Sequence, residues 1–361
     1  MGSDSSKPSQ MKGDMYVSLD DANAIVGEYV RGNVHVHLKD SVSSPKLFIF
    51  FRGHEIVEFC TERQESNGDH GMITYQINHS GKELIKKGRA IIFNKPDMTV
   101  NPGNYCVPFK FRLYPDLLPS FNATVFNKGS AKLEYKIGAL LETQGVKYMK
   151  FKKPFTVLSN SFPVLPELYP QQLSHEVSGY NNTIWCVNKE KASVKAWIEK
   201  PAFGSNELIN LFVEADLKNF SSDIRKIEVE ILKITTISAN RKNCVTKTQS
   251  KSIWKDTFRT EILARSGTQN RKFSIPVAEI LKHERTYTMK SYLIKCQYIA
   301  RIKMHTDYKL FRCTGFPTIE QGIVILPFVV DEKAEEHMVH LKCESSDMSS
   351  LITQASVSDE F

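Results

Sequence analysis

Gly27-Glu28-Tyr29-Val30-Arg31-Gly32-Asn33-Val34-His35-Val36-His37-Leu38 is the stretch that decides how this chain is read. Counting from Glu28, apolar residues fall at offsets +2, +6, +8 and +10, namely Val30, Val34, Val36 and Leu38. Counting from Glu207, about 180 residues later, Ile209, Val213, Ala215 and Leu217 occupy the same offsets. Each copy is followed by a second alternating run, Leu47/Ile49/Phe51 and then Ile227/Val229/Ile231, with a slip of one residue. Alternation with period two means a strand with one buried and one wetted face. Because the pattern occurs twice, it predicts a duplicated β-sandwich, an architecture that favours scaffolding and binding over catalysis.

The rest of the chain divides around these copies. Residues 1–14 are polar, Ser/Lys-rich and aperiodic, and are expected to be disordered. Residues 15–161 carry short alternating runs broken by turn signals such as Ser43-Ser44-Pro45, Ser66-Asn67-Gly68-Asp69 and Pro102-Gly103-Asn104, the pattern of a sandwich. Pro163, Pro166 and Pro170 mark residues 162–175 as a linker, with the hinge at Phe162–Gln172. Residues 176–330 form a second domain in which strand patterns resume near Thr183, and 331–361 form an acidic, Ser-rich tail expected to be flexible. Val277 to His283, after Pro276, is the one helix candidate, short enough to be a single turn in a loop. The duplication extends further: Tyr135 in Leu133–Ala139 has a counterpart in Tyr298 of Cys296–Ile302. Pro108, inside the run Gly103–Phe111, must lie on an edge strand or at a bulge because it cannot donate to a ladder.

Bulk properties narrow the class. At 361 residues the chain suits two domains, each with its own core. No apolar run approaches a membrane span, and no apolar stretch of a secretory signal follows the N-terminus. The seven cysteines are scattered and never form a CxxC pair, so reduced thiols in a cytoplasmic protein are expected, without metal or cofactor. No P-loop, GxSxG, HExxH or dinucleotide-binding turn occurs, and no catalytic residue is assigned. His35 and His37 share one strand face, where exposed histidines are commoner than a metal site. Of the net charge of +8, residues 189–312 contribute 25 Lys/Arg against 13 Asp/Glu, while the last 31 residues hold 8 acidic and 2 basic ones. A basic domain of this kind makes anionic lipid a candidate partner; no nucleic-acid-binding motif accompanies it, and nucleic acid is not expected as a partner.

These residues resemble the arrestin family, and its α-arrestin (arrestin-domain-containing) branch more than the visual and β-arrestins. Gly27–Val34 resembles the opening N-domain strand. Gly103-x-Tyr105-x-x-Pro108-Phe109-x-Phe111 followed by Leu118-Pro119-Ser120-Phe121 resembles the mid-domain signature, and Pro154–Leu158 the last N-domain strand. Phe203–Leu217, the surroundings of Tyr298, and Pro317–Ile325 resemble the C-domain. The resemblance covers residues 16–330. It implies an all-β fold of two tandem immunoglobulin-like β-sandwiches and a non-enzymatic adaptor linking membrane receptors or transporters to clathrin adaptors or other trafficking proteins. The chain has no Pro-Pro-x-Tyr motif, so recruitment of WW-domain ubiquitin ligases does not carry over; Leu165-Pro166-Glu167-Leu168-Tyr169 is one residue too long. The buried charged core and phosphate-sensing lysines of receptor-binding arrestins have no recognisable match.

The terminal segments supply the site candidates. Met1-Gly2-Ser3-Asp4-Ser5-Ser6-Lys7 fits N-myristoylation at Gly2, and equally the start of many cloned proteins. One myristoyl chain binds membranes only marginally, so a basic surface is needed as second signal, and the basic C-domain is the expected source. Asp347 with Leu351 and Ile352 resembles the acidic dileucine signal read by clathrin adaptors, and Ser345, Ser346, Ser349 and Ser350 are phosphorylation candidates. The tail is a candidate for folding back on a basic surface. The expected function is therefore a cytoplasmic adaptor with peripheral association at plasma membrane or endosomes. A retromer-like coat subunit and a scaffold for soluble signalling enzymes remain alternatives.

Overall fold

A computed structural model of the chain describes residues 13–66, 72–126, 128–143, 146–159, 175–181, 190–220, 222–239, 245–282, 286–306 and 318–327. The N-terminal half contains β1 (Gly13–Leu19), β2 (Asn23–Ile25), β3 (Tyr29–Leu38), β4 (Val42–Ser43), β5 (Pro45–Ser66) and β6 (Met72–Asn94). It continues with β7 (Thr99–Val100), β8 (Gly103–Arg112), β9 (Phe121–Val125), β10 (Gly129–Thr143) and β11 (Val146–Leu158). The C-terminal half contains β12 (His175–Asn181), β13 (Glu190–Ile198), β14 (Ala202–Phe203), β15 (Leu208–Asn219), β16 (Ile224–Ser238) and β17 (Thr246–Ile262). After these come β18 (Gln269–Pro276), α1 (Val277–Ile280), β19 (Met289–Lys290), β20 (Ile294–Thr306) and β21 (Ile319–Ile325).

Each half is a pair of sheets. In the first, β1-β3-β8 faces β2-β11-β10-β5-β6, with β9 added against β10; in the second, β12-β13-β15-β18 faces β14-β21-β20-β16-β17, with β19 against β20. Both halves close their larger sheet with a short parallel pair, Thr156↔Asn23 in one and Ala202↔Val324 in the other. The repeat in the sequence is thus a repeat of topology: β3 corresponds to β15, β5 to β16, and β10 to β20. Val30, Val34, Val36 and Leu38 are buried, as are Ile209, Val213, Ala215 and Leu217 and both following triplets. Alternation gives each strand one apolar face, and two such faces closed on each other make the core. Pro108 sits on β8, the edge of its sheet, opposite Asn33.

Three boundaries differ from the sequence-based expectation. Gly13 and Asp14, expected to belong to the disordered N-terminus, are part of strand β1: Gly13 pairs with Leu38 and Asp14 with His37. The glycine permits this, because a Cβ there would strike the His37 carbonyl. Strand structure in the second half begins at His175, not near Thr183, since β12 is an edge strand held by main-chain pairing to β13 and needs no apolar alternation. The helix candidate is the single turn α1, which ends at Ile280. Of the linker 162–175, residues 162–174, with the hinge, lie outside the described residues, and His175 belongs to β12.

Candidate functional site

The signature Leu118–Phe121 lies where the halves meet, and each of its residues has a partner. Tyr135 Oη donates to the Leu118 carbonyl at 2.5 Å, and Tyr287 Oη, from the second half, donates to the Pro119 carbonyl at 2.5 Å. Ser120 exchanges bonds with Val157 through its amide (2.7 Å) and its Oγ (2.9 Å). Phe121 is buried and meets Tyr287 edge-on, with ring centroids 5.7 Å apart. Burial pushes the hydroxyl pKa of Tyr135 and Tyr287 upward, so both are neutral donors. Tyr298, the repeat partner of Tyr135, is equally buried and shares a 2.6 Å hydrogen bond with Thr286 Oγ1.

A carboxyl group crosses the same junction. Glu55 is fully buried on the inner face of β5, and Ser291 Oγ donates to its Oε1. The backbone amides of Leu293, Ile294 and Tyr292 favour its charged form, yet burial outweighs them and raises its pKa above the usual carboxylate range. Among the described residues Oε2 has no hydrogen-bond partner. Elsewhere on the junction, the Phe126 amide donates to Gln249 Oε1 (2.9 Å), and Lys247 Nζ lies 4.6 Å from the Phe126 ring centroid while donating to the Cys60 carbonyl (2.9 Å). Gly81 approaches Ala239 so closely that a Cβ would strike its carbonyl. Gly81→Ala is therefore expected to weaken the contact between the halves by about 1–3 kcal/mol, as overpacking does. Urea unfolding checks this, and an unchanged midpoint would show that the contact yields freely.

The outer face of the larger N-terminal sheet is cationic. Strand register sets residues side by side there, since directly opposed residues point to the same side. Phe48 lies between Ile91 and Leu140, and Phe50 between Arg89 and Gly138, where a Cβ would collide with the Phe50 ring. Phe48, Phe50 and Leu140 form a small apolar cluster under a cover of cations. Arg89 stacks on Phe48 at 3.4 Å and Lys46 sits 5.2 Å from it, while Arg52 and Lys150 approach Phe50 at 5.8 and 5.6 Å. The register adds Lys82 and Lys87 from β6, Lys132 and Lys136 from β10, and Lys152 from β11. Glu134 and Glu142 interrupt these rows, paired with Lys136 (2.7 Å) and Arg89 (3.0 Å), and Glu58 borders the row of Lys82 and Lys132. His54, in their midst, has its pKa lowered by burial first and then by Lys82 and Arg52.

The duplicate face differs. Where the first half has Phe48 and Phe50, the repeat puts Glu228 and Glu230. Glu228 contacts Lys255 (3.0 Å), Lys303 (3.6 Å) and His305 (3.8 Å), and Glu230 and Glu320 flank Arg301 (3.4 and 2.8 Å). The hydrogen bond from Lys255 holds the Glu228 carboxyl below the usual range. The second half is richer in cations by count, but here acids are interleaved with them.

A third feature is the β5–β6 ribbon. Its outer part stands clear of the sandwich, with Ile73, Tyr75 and Ile77 on one exposed side opposite Glu65, Arg63 and Thr61. The sequence analysis missed this stripe, although its alternation was visible, because nothing local says that a paired ribbon outruns its sheet. His35 and His37 share the outer face of β3 as expected. His35 stacks on Tyr16 (4.3 Å) and bonds Ser18 Oγ through Nε2 (3.0 Å), while His37 Nδ1 bonds Asn104 Oδ1 (2.6 Å). Gly2, Ser345, Ser346, Asp347, Ser349, Ser350, Leu351 and Ile352 lie outside the described residues, so the structure brings none of them to a site.

Two docked β-sandwiches with broad exposed sheet faces define a class of protein that works through surfaces. Family models specify the class further: the arrestin (or S-antigen) N-terminal domain matches residues 16–161, and the arrestin (or S-antigen) C-terminal domain matches residues 188–328. The chain belongs to the arrestin family, whose members are in general non-enzymatic adaptors that bind receptors and trafficking proteins. No curated protein matches the chain in sequence. Among the described residues no helix is long and apolar enough to cross a membrane.

Proposed function

We propose that this chain is a non-enzymatic adaptor of the α-arrestin type that links receptors or transporters to trafficking machinery while peripherally attached to a membrane. The observation that carries this proposal is the order of two complete arrestin domains joined at a packed junction, with extended sheet surfaces left exposed. Acylation at Gly2 supplies the anchor, and the segment containing Asp347, Leu351 and Ile352 recruits clathrin adaptors from the tail, where phosphorylation of Ser345, Ser346, Ser349 and Ser350 adds charge. The exposed stripe Ile73/Tyr75/Ile77 fits an apolar contact with cargo.

The test is purification of the full chain from solubilised membranes of its native cells, beside Gly2→Ala and a Leu351→Ala/Ile352→Ala variant. Receptors or transporters with clathrin adaptors are expected, the former lost with Gly2→Ala and the latter with the tail variant. A fixed-stoichiometry coat complex indifferent to Gly2→Ala would replace the proposal with the retromer-like alternative. Soluble enzymes alone would replace it with a signalling scaffold.

A further inference from the structure

We infer that the outer face of the sheet β2-β11-β10-β5-β6 is a docking surface for an anionic lipid bilayer. The inference deepens the adaptor proposal by naming the surface that meets the membrane. Its first ground is charge: Lys46, Arg52, Arg89 and Lys150 cover the Phe48/Phe50/Leu140 cluster, and five further lysines extend the field across four strands, against three carboxylates, Glu58, Glu134 and Glu142. Strands about 4.8 Å apart and same-face residues about 6.8 Å apart spread these charges over roughly 15 by 35 Å. A phosphate group or a short acidic peptide calls for cations that converge. An array this wide matches a plane of separated headgroups instead, and the cations seated over the Phe48 and Phe50 rings hold positive charge along the surface of this face.

The second ground is where the chain leaves the sandwich. Gly13, the first residue of β1, lies against Met149 on the inner side of β11, the strand whose outer side carries Lys150 and Lys152. The twelve residues before Gly13 reach at most about 40 Å, a span long enough for an acyl group at Gly2 to meet the plane of the cations. One acyl chain and one basic surface are the two signals that stable attachment requires. The third ground is the internal control that duplication provides: Glu228 and Glu230 stand in the second half where Phe48 and Phe50 stand here.

The experiment is cosedimentation of the full chain, carrying Gly2→Ala throughout so that acylation plays no part. Vesicles of phosphatidylcholine with and without phosphatidylserine are compared at physiological and raised salt. Lys87→Glu/Lys132→Glu/Lys152→Glu reverses three exposed cations of the face, and Lys39→Glu/Lys218→Glu/Lys282→Glu reverses three exposed cations elsewhere. Partition onto phosphatidylserine vesicles is expected to fall on the order of a hundredfold for the first triple, about fivefold per cation, and far less for the second. Raised salt should release the parent Gly2→Ala chain. Equal losses in both triples, or none in the first, would overturn the inference. So would binding of an acidic phosphopeptide that depends on the first triple when vesicles are not bound at all. Thermal unfolding confirms that the variants fold, and Lys87→Gln/Lys132→Gln/Lys152→Gln repeats the comparison if the reversal unfolds. Cargo capture from detergent is read separately. Its persistence without vesicle binding would sink this surface and spare the adaptor proposal, whereas vesicle binding without cargo would do the reverse.

Discussion

Tyr287→Ala is expected to destabilise the protein by about 3–5 kcal/mol, the range for deleting a buried aromatic ring. The ring is buried among residues of both halves, stands edge-on to Phe121, and carries the hydroxyl that caps the Pro119 carbonyl. Removing it deletes an aromatic pair and leaves a buried acceptor unsatisfied where the signature loop of the first half touches the second. Tyr287→Phe separates the two effects, keeping the ring and losing only the bond, at about 1–3 kcal/mol. Urea unfolding measures both. In Tyr287→Ala the two sandwiches should also cease to unfold together, giving two transitions and a larger radius in small-angle scattering. A single transition at the wild-type midpoint would show that the junction does not couple the halves.

Replacing Glu55 by Gln should remove a pH dependence from that same junction. Burial raises the folded-state pKa of Glu55 above its value in the unfolded chain, so the folded protein binds the extra proton across the interval between them. Stability from this group therefore falls as pH rises through that interval from the ordinary carboxylate range upward, and levels off above the folded pKa. The slope is at most about 1.4 kcal/mol per pH unit. His54, whose pKa is lowered, acts with the opposite sign near neutrality, because the unfolded chain takes up its proton first. The diagnostic quantity is thus the difference between wild type and Glu55→Gln, not the wild-type curve alone. As pH falls through that interval the difference should move in favour of the wild type. Parallel curves would mean that Glu55 titrates as it does in the unfolded chain.

Much of the candidate site was legible in the chain only as position. Leu118–Phe121 stood out as a signature, but its use became visible when Tyr135 and Val157 arrived from two other strands and Tyr287 from the segment before β19. Glu55 gave no signal, because a glutamate in an alternating strand reads as a wetted residue until a loop some 236 positions away closes over it. Charge misled in a specific way. Counting favoured the second half, whereas the concentrated face belongs to the first, with only 19 Lys/Arg against 14 Asp/Glu over residues 15–161. Strand register explains the reversal: it collects the cations of β5, β6, β10 and β11 on one side and, in the duplicate, sets Glu228 and Glu230 among theirs.

By itself the sequence determined what depends on local periodicity: the duplication, the strands, which side of each is buried, and the family. Side-chain direction alternates with every residue whatever the partner strand, so these features need no knowledge of distant contacts. The tertiary structure alone decided which strands are neighbours, and therefore where charge accumulates, which carboxyl group is sealed at the junction, and which ribbon stands clear of its sheet. Those properties arise from residues far apart in the chain, brought together by pairing and packing that no short stretch encodes.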